Sequence, residues 1–185
     1  MRTISTIIGC IFGYMCLFLS IIVSAETIMR KVFSVSIQGA DELGGYTLAI
    51  GSSLAFSVAL IGRNHMRIDF LHYRLSERLQ AILNWLAIVS IAAFAVLLSW
   101  TTLEIVSDSL AYHSTAPTPW ATPLIIPQSL WYAGLTIFAV IAVFKALQAT
   151  SLVGSLRWHD LNMRFNPKAA KEELQEELAD AAIRK

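Results

Sequence analysis

Charged side chains are scarce in this sequence: Asp, Glu, Lys and Arg make up 15% of its 185 residues while hydrophobic ones make up 56%. A soluble domain carries about 25% charge, so water is not this chain's only solvent. An excess of one sign is missing too. The 14 Lys and Arg face 13 Asp and Glu, a net charge of +1, which leaves no basic footprint and no nucleic-acid partner to expect. The two cysteines, Cys10 and Cys16, fall on separate faces of one helix at about 100° per residue and cannot bridge each other. The four histidines (His65, His72, His113, His159) stand at no ligand spacing, so neither metal nor cofactor is expected. A Ser/His/Asp set, a Gly-Lys phosphate loop and a dinucleotide fingerprint are absent as well. The chain reads as no enzyme and, alone, as no ATP-driven pump.

What is present is apolar length. The run 4–25 carries no charge, 81–103 has Asn84 as its strongly polar side chain, and 125–147 carries Lys145 near its end, where a long side chain can reach the interface. The run Tyr46–Ile61 is shorter and rich in Ser and Gly. Its helix is expected to start near Ala40, with Asp41 and Glu42 in the first turn, where carboxylates favour the positive end of the helix dipole. The fold class is therefore all-α, with four membrane spans at about 4–25, 42–62, 81–103 and 125–147. They form one domain over 1–150, followed by a tail over 151–185. Arg2 before a run ending Val23-Ser24-Ala25 is similar to a secretory signal, but the apolar core of a signal is about 7–15 residues. This run is longer, and it is expected to stay as the first span.

Orientation follows from the basic residues. With the N-terminus inside, all of the 14 except Arg30 and Lys31 fall on the cytoplasmic side, which places both termini of a multi-pass membrane protein in the cytoplasm. Trp100 and Trp131 then lie at the outer interface, Trp85 and Trp158 near the inner one.

Between the second and third spans, Asn64 to Leu79 reads as an amphipathic helix along the inner membrane surface, with Ile68, Leu71, Leu75 and Leu79 on one stripe. At its start Arg63, His65, Arg67 and Asp69 form a polar cluster at the inner interface. Before the fourth span, the stretch 114–127 holds prolines 117, 119, 123 and 127, a stiff connection that suits docking or a mere tether. Asn166-Pro167 reads as a helix cap opening a charged cytoplasmic helical tail.

A coupled carrier needs charges or broken helices near the midplane, usually in inverted repeats. Glu26, Glu104 and Asp108 instead sit at outer span ends, where they are expected to pair with Arg30 or Lys31, and no repeat covers the chain. Small residues mark helix contacts in lipid: Gly9 and Gly13 in the first span, Ala49, Ser53 and Ser57 in the second. These contacts can lie within the chain or with a partner. Arg30, Lys31, Asp41, Glu42, Gly9, Gly13, Ser53 and Ser57 are the candidate partner-interface residues.

The order of these features resembles a known family, the DctQ-type small membrane subunit of tripartite ATP-independent periplasmic (TRAP) transporters. The resemblance rests on Arg30-x-x-Phe33, on Ala40-Asp41-Glu42-Leu43-x-x-Tyr46, on Arg63-Asn64-His65-Met66-Arg67-Ile68-Asp69, and on the stretch from Thr118-Pro119 to Ile126-Pro127. It covers roughly 4–150; the charged tail departs from it. It implies a complex in which a large membrane subunit carries the substrate and sodium sites and moves as an elevator. A soluble periplasmic substrate-binding protein would deliver an organic acid, such as a C4-dicarboxylate or a sialic acid. This chain, in the lipid bilayer, would be the static scaffold that braces the large subunit and helps dock the binding protein in a sodium symport. Two other readings stay open: a membrane anchor of a redox enzyme, which needs His pairs inside a bundle, and a small multidrug exporter, which needs a membrane-embedded carboxylate.

Overall fold

In a computed structural model, residues 2–36, 39–62 and 75–165 are described, with the side chains of the first helix described from Gly9 onward. Four helices are long and apolar enough to cross a membrane. The first, α1 (Arg2–Ile28), has 27 residues, about 40 Å at about 1.5 Å per residue. It passes directly into a π-helical turn, Met29–Phe33, which ends at Ser34 in the left-handed region, whose N–H donates to the Met29 carbonyl. Helix α2 (Ala40–Gly62) begins where expected, with Asp41 and Glu42 in its first turn. Helices α3 (Glu77–Ala111, 35 residues) and α4 (Ile125–Gly154, 30 residues) extend past both ends or one end of their apolar runs. Backbone groups near a bilayer have no better hydrogen-bond partners than a continued helix, so polar flanks join the helix instead of fraying.

A fifth helix, α5 (Trp158–Phe165), was not foreseen from the sequence. The end of α4 is closed by Leu156 at φ 54, with Arg157 N–H donating to the Leu152 carbonyl at 3.0 Å, a left-handed helix stop of the Schellman kind. The expected surface helix is corrected at its C-terminal end. Leu75 and Ser76 are not helical, and Glu77, Arg78 and Leu79 open α3. Its remainder, and the tail from Asn166, lie outside the described residues. Among the described residues there is no strand, only an isolated antiparallel bridge between Thr115 and Pro123.

Packing divides the chain into two units, Met1–Val58 with Ala93–Ile141, and Ala59–Ala92 with Ala142–Lys185. In the first, the Phe12 ring of α1 lies where a Cβ on Gly51 of α2 would stand, and Ser53 of α2 occupies the corresponding place at Gly134 of α4. Phe56 and Phe138 pack with ring centroids 5.6 Å apart, and the Ser99 and Thr136 hydroxyls bridge α3 and α4 at 3.4 Å. Small residues at these crossings let helices approach closely where lipid provides no hydrophobic drive between them. In the second unit, Leu60, Ala81, Ile88, Ala142, Ala149 and Leu161 form the core. Polar side chains tie it together: Asn84 donates to Asn162 Oδ1 at 3.0 Å, and Asn162 donates to the Glu77 carbonyl at 2.9 Å. Trp85 Nε1 donates to Thr150 at 3.0 Å.

Lys145 does more than reach for the interface. Its Nζ donates to the Leu60 carbonyl at 2.9 Å, one of the last four carbonyls of α2, which have no partner within that helix.

Candidate functional site

The charged groups foreseen around the end of α1 and the start of α2 gather in the first unit. Glu26 is buried, its side chain 7% exposed. One turn later Arg30 donates to Glu26 Oε1 from Nη2 at 2.6 Å and from Nε at 3.1 Å, the i,i+4 spacing that brings side chains onto one helix face. Ser36, returning from the π turn, donates to the same oxygen at 2.5 Å. A buried carboxylate without such partners is costly. Here an ion pair and a hydroxyl hold it. Of the pairs expected at the outer span ends, the Glu26–Arg30 pair is present. Glu104 instead accepts from Trp100 Nε1 at 2.9 Å.

A cleft of about 340 Å³ opens beside this cluster, lined by Val23, Glu26, Thr27, Arg30, Lys31, Ala40 and Asp41. Lys31 and Asp41 are exposed on its rim. Glu42 is not. It is buried, Tyr46 donates to its Oε2 at 3.1 Å, and its Oε1 has no hydrogen-bond partner. Its exposed neighbour Asp41 is the carboxylate open to a ligand.

The proline-rich stretch is an ordered loop. Ala116 N–H donates to Thr122 O at 2.9 Å and Leu124 N–H to Ser114 O at 3.0 Å, closing residues 114–124 into a narrow hairpin. Pro127 falls in the first turn of α4, where its missing N–H costs no helix bond. At the loop tip the Trp120 ring lies against Gly39, where a Cβ would overlap it. That contact explains the glycine just before α2, and the loop is thereby tied to the cleft-bearing α1–α2 connection. Neither Ser36 nor Trp120 was legible as a site residue, because each reaches its partner through the turn or across the loop and no short spacing marks it.

Gly9 and Gly13 are exposed, with nothing near the position of an added Cβ. Ser53 and Ser57 are buried within the chain, Ser53 against Gly134. Arg63, His65, Arg67 and Asp69 lie outside the described residues. His113 is in the loop and His159 on α5, where its Nδ1 pairs with Glu77 Oε1 at 3.2 Å. Among the described residues no group of His, Cys, Asp and Glu is placed to hold a metal.

The family described as tripartite ATP-independent periplasmic transporters, DctQ component, matches residues 19–152. The chain belongs to the DctQ family. No curated protein and no solved structure matches it. As a DctQ component it is the small membrane part of a TRAP transporter, and its four apolar helices make it a multi-pass membrane protein. Neither the redox-anchor nor the exporter reading has support from this membership.

Proposed function

We propose that this DctQ chain is the static scaffold of a sodium-driven TRAP importer of organic acids, bracing a large transport subunit and helping to dock a periplasmic substrate-binding protein. The observation that carries the scaffold reading is the continuity of α2, α3 and α4, unbroken over 23, 35 and 30 residues. Coupled carriers bind ions and substrate at interrupted helices near the midplane. Lys145 of α4 is engaged as a cap on α2. The cleft beside Glu26 lies at a helix end, as does a smaller one of about 250 Å³ lined by Ser109, Leu110, His113, Ser114, Thr115, Pro123 and Ile125.

Bracing falls to α1. Its apolar window is only 6% buried inside the chain, against 28% for α3 and α4, and Gly9 and Gly13 leave a notch on it that a partner helix fits closely. Docking falls to the opposite charges Arg30, Lys31 and Asp41 and to the 114–124 loop, which share one unit. The basic-residue asymmetry puts that end in the periplasm and both termini in the cytoplasm.

Co-expression with a large TRAP membrane subunit tests this reading. The two should co-purify in detergent, and replacing Gly9 and Gly13 with leucine should break the complex without lowering the yield of the chain alone. A complex that survives this double replacement would remove α1 from the bracing role.

A further inference from the structure

The cleft beside Glu26 sets charges of both signs next to an apolar wall. Glu26 and Arg30 neutralise each other. Lys31 and Asp41, of opposite sign, line the same cleft, and neither has an ion-pair partner among the described residues. Val23, Thr27 and Ala40 complete the wall. Val23 and Thr27 are exposed residues in the last turns of an apolar span, so the cleft runs from bilayer-facing helix to charged rim. Its volume of about 340 Å³ stands at the low end of ligand sites, which run about 300–1,000 Å³. It suits a compact group.

We infer that this cleft binds the phosphoethanolamine headgroup of a phospholipid, its phosphate held by Lys31 with Arg30 beside it and its primary ammonium by Asp41. A purely anionic ligand would leave Asp41 repelling it, and a purely cationic one would leave Lys31 doing so. A zwitterion matches both. Arginine and lysine are the usual phosphate partners, and a carboxylate accepts from a primary ammonium. The lipid source is favoured over a soluble zwitterion by the apolar wall, since acyl chains continue from the headgroup along Val23 and the exposed flank of α1. This inference shares Arg30, Lys31 and Asp41 with the docking reading and is tested apart from it, because lipid binding is read with no binding protein present.

Native mass spectrometry of the purified full chain in detergent, titrated with single lipids, decides it. Phosphatidylethanolamine should bind about fivefold more tightly than phosphatidylglycerol, the worth of one exposed charge pair. It should also outbind phosphatidylcholine, whose methylated ammonium has no N–H to donate. Asp41→Asn should abolish the preference over phosphatidylglycerol, and Lys31→Gln should weaken both lipids, each variant eluting as wild type does. Equal binding of the three lipids by the wild type, or a preference that persists in Asp41→Asn, overturns the site. Free phosphoethanolamine at the same concentration should fail to displace the lipid. Displacement would assign the cleft to a soluble zwitterion and overturn the lipid assignment.

Discussion

Asn84 lies in α3, the helix with the most apolar window, and is 1% exposed. From the sequence it was simply the polar exception of its span. The reason for it is Asn162, 78 positions away, whose carbonyl accepts from it and which in turn donates to the Glu77 backbone. Asn84→Ala takes the donor from the buried Asn162 Oδ1, at about 1–3 kcal/mol. Asn84→Ala should therefore lower the detergent unfolding midpoint, and the double change to leucine at 84 and 162 should recover part of the loss. Single and double variants of equal stability would show that the pair does not hold α5. Glu26 is the contrasting case. Its pairing with Arg30 was legible because the two are separated by one helical turn, whereas the contribution of Ser36 depends on the π turn and its left-handed end at Ser34.

At the scale of elements, the four spans were readable because a bilayer demands long uncharged runs and tolerates little else. Their ends were not. Flanks such as the charged Glu77-Arg78 and the uncharged residues 148–154 continue as helix, and nothing in an apolar-run rule marks where that stops. Helix α5 went unread because it is only eight residues long, with Trp158, Leu161 and Phe165 as a short apolar face, while Asn166-Pro167 drew the expected helix start further along. The glycines divide by what surrounds them. A side chain at Gly134 would meet Ser53, so Gly134→Ala should cost about 1–3 kcal/mol through overpacking. Gly13, with open space beside it, should tolerate alanine without loss and gain up to about 1 kcal/mol of helix propensity. Thermal melts of the two variants separate these outcomes. A destabilised Gly13→Ala would mean that the α1 notch is filled within the chain.

For the whole molecule, the placement of basic residues makes a prediction about topology. Reporter fusions at Pro119 should report the periplasm and fusions after Lys185 the cytoplasm. The reverse at either site would reject the arrangement with both termini inside. The family was legible in the sequence because it rests on the order of several short motifs within a four-span frame, and the matched region, 19–152, lies almost wholly within that frame. The contacts that build the candidate site were less so, since they join residues from the π turn, the first turn of α2 and the tip of the loop. The central claim is that this subunit is necessary for uptake yet moves no solute itself. Reconstitution into vesicles measures it directly: the chain alone should show no sodium-driven accumulation, and the large subunit with its binding protein should accumulate substrate only when this chain is added. Accumulation by the chain alone, or equal uptake by its partners without it, would contradict the account.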